Sequence, residues 1–196
     1  MNKIAKALTN YIIRKGIIDK TEQTIYEYGF TITIEAGLFI LFCIFIILHL
    51  HMFIEGILFF ITFAPLRTYA GGLHLEKYHS CFVLSCLTFC GILLTVMYVH
   101  IPIYFLLIAV FLLEISVYIL YPVENKNRKV NKKEDLYFKC KLKKFFLLDT
   151  FIVIICTIFK KNEYVLTITT TFFIVVITMI LGKYKNKRVC ETFSVK

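Results

Sequence analysis

The run Arg67-Thr68-Tyr69-Ala70-Gly71-Gly72-Leu73-His74-Leu75-Glu76-Lys77-Tyr78-His79-Ser80-Cys81 gathers two histidines, a glutamate, an arginine and a cysteine. These are the ingredients of acyl transfer to a thiol. A cysteine attacks as its thiolate, and because a free thiol has a pKa of ~8.5 it needs a base or a local positive field. His74 and His79 are the candidate bases, since an imidazole titrates near the working pH.

Spacing separates the two histidines. On one unbroken helix His74 and Cys81 would share a face but lie ~10.5 Å apart along the axis. A base must come within ~2.6–3.2 Å, so a straight helix fails. His74 therefore has to sit on a bend, and Gly71-Gly72 just before it supplies the backbone freedom. Cys81 then falls in the first turn of the next apolar segment with Ser80 as its N-cap, where the helix dipole favours a thiolate. His79, two residues from Cys81, would point to another side of that helix. The geometry favours His74.

Each residue also has a plainer reading. A cysteine opening an apolar segment can simply pack, and Gly-Gly can simply turn the chain. Zinc is the other chemical option, because His74, Glu76, His79 and Cys81 are all ligand types. The order H-x-E-x-x-H, however, lacks the same-face histidine pair of H-E-x-x-H. No metal or other cofactor is expected.

The elements that must position this loop are apolar. The chain has 196 residues, 59% of them hydrophobic, and a mean hydropathy of +0.75, well above the ~45–50% apolar usage of soluble domains. Its seven cysteines are scattered without a CxxC pair, unlike a disulfide framework. At about 20 residues per span, six apolar segments emerge: Thr31–Leu50, Met52–Pro65, Ser80–Val99, Ile101–Tyr121, Phe145–Phe159 and Tyr164–Leu181. The second and fifth are short for a full span. Pro102 and Pro122 punctuate the fourth.

The charges orient these segments. The net charge is +10, and it sits in blocks between the apolar runs. With both termini and the Arg67–Cys81 loop inside, every Lys and Arg except Lys160 and Lys161 lies on the inner side, as the positive-inside rule requires. That pattern accounts for the basic character without nucleic acid. The expected fold is an all-α integral membrane protein with about six transmembrane helices and an N-terminal amphipathic interfacial helix. Residues 1–30 form the amphipathic cytoplasmic-face part, where Ile4, Leu8 and Ile12 make a stripe. Residues 31–182 form the membrane domain, with the catalytic loop 66–81 and a basic loop 122–144, and 183–196 a cytoplasmic tail. The basic loop has two readings beyond topology, attraction of an acidic peptide or of anionic membrane lipids.

The pattern Arg67-x-x-x-Gly71-Gly72-x-His74, with Cys81 seven residues on, resembles the signature of the accessory gene regulator B (AgrB) family. The length, the six apolar segments, the basic amphipathic start and the lysine-rich central loop are similar too. The resemblance implies a membrane cysteine endopeptidase of quorum-sensing Gram-positive bacteria, acting on an AgrD-type propeptide and assembling as a homodimer. It makes Cys81 the nucleophile and His74 its general base and acid. Arg67 would orient substrate or loop, and Gly71 and Gly72 would allow close backbone approach. Glu76 and His79 take no role from it. The rival class is a non-enzymatic peptide exporter or scaffold with Glu35, Glu55 and Glu114 along a path. Three carboxylates without evident cationic partners support that class thinly.

Overall fold

The computed structural model describes residues 2–73, 78–123 and 132–194. His74 and Glu76 lie outside the described residues, as do Lys126, Arg128 and Lys129 of the basic loop. The elements run α1 (Asn2–Arg14), a 3-10 turn (Lys20–Glu22), α2 (Gln23–Leu50), α3 (Phe53–Tyr69), α4 (Tyr78–Tyr98), α5 (Ile103–Leu120), α6 (Lys132–Ile158) and α7 (Asn162–Ser194). Each of the six apolar segments falls on one of α2 to α7.

Among the described residues, four stretches are long and apolar enough to cross a membrane: Lys20–Leu50, Ser80–Tyr98, Ile103–Leu120 and Asn162–Asn186. Two of the six expected spans do not reach that standard by themselves. Helix α3 has 17 residues, short of a full span. In α6 the apolar half follows Lys139, Lys141, Lys143 and Lys144 and is interrupted by Asp149.

Left-handed residues close two of the hairpins. His51 (φ 56°) ends α2 while the Met52 N–H reaches back to the Ile47 carbonyl, 3.2 Å away. Lys160 (φ 55°) does the same after α6, with the Lys161 N–H on the Cys156 carbonyl at 2.9 Å. Both satisfy carbonyls that a helix end would leave orphaned.

Helix α7 is the centre of the bundle. It packs against α3, α4, α5 and α6, and its spanning stretch is 61% buried against 11–22% for the other three. Its threonines make this possible. Thr167, Thr169, Thr170 and Thr171 each donate to a carbonyl one turn earlier, at 2.7–2.9 Å, so the polar atoms enter the interior already paired. Val165, Ile168, Phe172, Val175 and Met179 fill the space around them. A second cluster joins α2, α3 and α4 through Cys43, Phe59, Phe89, Ile92 and Leu93. Its edge-to-face Phe59–Phe89 pair has centroids 5.0 Å apart.

Several boundaries differ from the sequence reading, for local reasons. The segment expected to stop at Pro65 continues as α3 to Tyr69. Proline removes one N–H, and buried contacts at Leu66 and ring contacts at Tyr69 carry the helix past it. Residues 1–30 are not one helix, because α1 ends at Arg14 and α2 already starts at Gln23. Small residues, Ala5 and Thr9, make the buried face of α1, which packs on α2. Ile4 and Leu8 of the expected stripe stay exposed. Residues 132–144 of the basic loop form the start of α6, and most of the 183–196 tail prolongs α7.

Candidate functional site

The site lies where α3 and α5 end and α4 and α6 begin, beside the Gly182 turn in the interior of α7. At the opposite end of the bundle, Val99–Ile101 and Lys160–Glu163 line a separate cavity of ≈ 380 Å³. Arg67 occupies the last turn of α3, which two neighbours hold firmly. Leu66 is fully buried, and the Tyr69 ring lies 5.7 Å from the rings of both Phe138 and Phe145 on α6.

The chain then leaves the helix through two positive-φ glycines, Gly71 (φ 83°) and Gly72 (φ 152°). The bend expected before His74 is therefore present. A side chain is excluded at both. A Cβ on Gly71 would stand 2.6 Å from the Val123 carbonyl oxygen, and one on Gly72 would run into the Arg67 guanidinium. The Val123 N–H donates to the Ala70 carbonyl at 3.2 Å, pairing the residues after α5 with Gly71 as an isolated parallel bridge. Gly182 of α7 lies beneath, so close that a Cβ there would be 3.0 Å from the Gly72 carbonyl carbon.

Arg67 is the electrostatic centre of this arrangement. Its Nη2 donates to the Leu73 carbonyl, while Nη1 is buried with no hydrogen-bond partner among the described residues. Burial pulls the guanidinium below its ordinary value, and the nearby Cys81 sulfur acts in the opposite sense. Cys81 thus lies within electrostatic reach of Arg67. Cys81 is the fourth residue of α4, in its first turn as expected, half-buried and with a free thiol. Ser80 is not the N-cap, because α4 already begins at Tyr78. His79 belongs to that same first turn. The structure brings Arg67, Gly71 and Gly72 together, Cys81 is linked to them through its electrostatic interaction with Arg67, and the base expected at His74 falls outside the described residues.

Two polar groupings escaped the sequence reading. Just after α5, the Tyr121 hydroxyl donates to Asp135 Oδ1 at 2.9 Å, and Lys139 Nζ donates to Asp135 Oδ2 at 2.8 Å. Those bonds, the Lys139 one foremost, hold the Asp135 carboxyl below its usual range. Burial, followed by the Asp135 contact, pushes the Tyr121 phenol up. Deeper in the bundle, Thr62 of α3 donates to Asp149 Oδ1 at 3.0 Å and Thr150 donates to Glu114 at 3.1 Å. Asp149 is 1% exposed, and its Oδ2 has no partner among the described residues. In sequence the i,i+4 spacing of Asp135 and Lys139 is legible as a helix ion pair, but nothing in spacing announces the Tyr121–Asp135, Thr62–Asp149 or Thr150–Glu114 bonds.

Searches against characterised proteins and against solved structures find no match. The family model for accessory gene regulator B does match, over residues 5–179. That span takes in the glycine bend, Arg67, Cys81, the whole of α2 to α6 and α7 as far as Met179, so the chain belongs to the accessory gene regulator B family of the quorum-sensing system that bears its name.

Proposed function

We propose that this protein is a multi-pass cell-membrane cysteine endopeptidase that trims and cyclises a quorum-sensing propeptide. The supporting observation is the convergence at one end of the bundle. Cys81 in the first turn of α4 lies in electrostatic reach of a half-buried Arg67, whose Nη1 is buried and has no partner among the described residues. In this reading all six helices α2 to α7 span the bilayer, and both termini and the catalytic loop face the cytoplasm. Helices α3 and α6 are carried by their neighbours.

The chemistry proceeds as thiol acyl transfer. His74 takes the Cys81 proton, and the thiolate attacks the carbonyl carbon at the junction between signal segment and C-terminal tail. The carbon–nitrogen bond breaks, His74 returns its proton to the leaving amine, and a thioester to Cys81 remains. A thiol or hydroxyl within the bound peptide then attacks that thioester, passing its proton through His74 to the departing Cys81 sulfur. The product is a thiolactone or lactone ring. Thioester exchange roughly conserves bond energy, so a cysteine enzyme can cyclise where hydrolysis would waste the acyl group. Exclusion of water at the membrane edge protects the intermediate. Arg67 Nη1 is the donor left over for a substrate carbonyl or carboxylate, and its second nitrogen holds the loop.

The test is tail removal from a candidate propeptide in membranes. Wild type should cleave, whereas Cys81→Ala and His74→Ala should insert normally and lose cleavage. A propeptide segment trapped as a thioester on Cys81 would be the direct positive result. Cleavage retained by Cys81→Ala would refute the proposal.

A further inference from the structure

The Gly71–Gly72 bend does not support itself. Its described tertiary contacts come from Arg67, from Thr178 and Gly182 of α7 beneath it and from the short strap Tyr121-Pro122-Val123 that follows α5. The strap touches it through the Val123 N–H on the Ala70 carbonyl at 3.2 Å and through the Val123 carbonyl against Gly71. Val123 is buried, and its Cγ1 also bears on Gly182. A three-residue strap with one backbone bond to the loop has little rigidity of its own. Its near end is tied to α5 by the Tyr121 N–H on the Val117 carbonyl at 3.0 Å, and side-chain bonding ties it to another helix. The Tyr121 hydroxyl donates to Asp135 Oδ1 at 2.9 Å, Lys139 holds the other carboxylate oxygen at 2.8 Å, and the Lys139 ammonium lies 5.7 Å from the centre of the Tyr121 ring.

We propose that Tyr121 and Asp135 are positioning residues for the Cys81 reaction: they clamp the 121–123 strap to α6, and the strap sets the position of the Gly71–Gly72 bend and of the Leu73 carbonyl that Arg67 holds. The path is continuous. It runs from Asp135 to Tyr121, along two peptide units to Val123, across one backbone hydrogen bond to Ala70, and through Gly71 and Gly72 to the Leu73 carbonyl held by Arg67. Neither residue touches the reacting atoms. Their effect is on alignment, so it belongs in kcat rather than in substrate affinity. The two act as one device, so breaking either bond partner releases the same strap.

This inference rests on Cys81 being the nucleophile, and the experiment separates the two. Propeptide cleavage is measured in proteoliposomes per folded protein, with folding checked by gel filtration in detergent, for wild type, Cys81→Ala, Tyr121→Phe, Asp135→Ala, the Tyr121→Phe/Asp135→Ala double variant and Asp135→Asn. Tyr121→Phe keeps the ring and loses only the hydroxyl, so it is the variant least prone to misfold. We expect kcat to fall roughly tenfold in Tyr121→Phe and in Asp135→Ala with KM within about twofold, as suits sub-ångström misalignment. The double variant should be no worse than either single one. Asp135→Asn, which keeps an acceptor for Tyr121, should recover most of the rate. A wild-type kcat in Tyr121→Phe, a KM effect alone, or losses that multiply in the double variant would each overturn the clamp. Cleavage that persists in Cys81→Ala would instead overturn the peptidase reading.

Discussion

The glycine at position 182 offers a way to move the catalytic loop without touching it. Gly182 sits in the regular interior of α7, where alanine is preferred over glycine by about 0.5–1 kcal/mol. On helix propensity alone, Gly182→Ala should stabilise the protein. The added methyl, however, would lie 3.0 Å from the Gly72 carbonyl carbon, 3.1 Å from its oxygen and 3.0 Å from Val123 Cγ1. Ordinary contact begins at 3.4 Å, so the loop must retreat by about 0.4 Å while α7, locked among four helices, stays in place. If misplacement by 1 Å costs about 10²-fold, 0.4 Å costs roughly sixfold on a logarithmic scale. The assay pairs propeptide cleavage with thermal unfolding in detergent. The expected result is a cleavage rate down several-fold with thermal stability equal to wild type or slightly higher. Gly182→Val, with more bulk against the same backbone, should lose substantially more. Full cleavage in Gly182→Ala would show that the bend is free to shift without consequence, and the positional account of Gly71 and Gly72 would fail with it.

Two further outcomes follow from the buried and interfacial carboxylates. Asp149→Ala strands the Thr62 hydroxyl and opens a gap between α3 and α6, so detergent unfolding should show a loss of about 1–3 kcal/mol, with Asp149→Asn closer to wild type because it still accepts from Thr62. Asp135, whose carboxyl is held low by Lys139 and Tyr121, contributes stability that is present above its unfolded value of about 3.9 and disappears as pH falls through the lower folded value. Melting temperatures of wild type and Asp135→Asn should therefore differ at pH 7 and converge toward pH 3, and a gap that stays constant over that range would contradict the assignment.

The candidate site was legible in sequence to the extent that it is local. Arg67, Gly71, Gly72, His74 and Cys81 fall within one short run, and the impossibility of a straight helix between His74 and Cys81 required the bend that Gly71 and Gly72 make. What supports the bend was not legible. Val123, Asp135 and Gly182 come from three distant places in the chain, and their contribution lies in a backbone N–H, a carboxylate oxygen and the absence of a side chain. None of these leaves a periodic or compositional mark. The boundary errors have the same origin. Pro65 reads as a stop because proline removes a donor, yet α3 passes through it because Leu66 and Tyr69 are anchored by buried contacts. Ser80 reads as a cap, yet α4 starts two residues earlier.

The two helices least suited to lipid frame one side of the candidate site, while Cys81 stands on the apolar α4. Helix α3 brings Arg67 and Tyr69, and α6 brings Asp135, Lys139, Phe138 and Phe145. Both fall short of a self-sufficient span, whereas α2, α4, α5 and α7 do not. A helix that must end in an arginine facing a cysteine, or begin with a clamp of charges, cannot also be uniformly apolar. The shortfall is met by pairing the two with each other. Thr62 bonds Asp149 within the bundle, and the Tyr69 ring lies on Phe138 and Phe145 at its end. Both helices also rest on α7, whose polar atoms are already satisfied by its own carbonyls and so demand nothing from them. The proposed chemistry at Cys81 would thus depend in part on an interface between two marginal helices, so the buried Thr62–Asp149 bond bears on how firmly Arg67 is held.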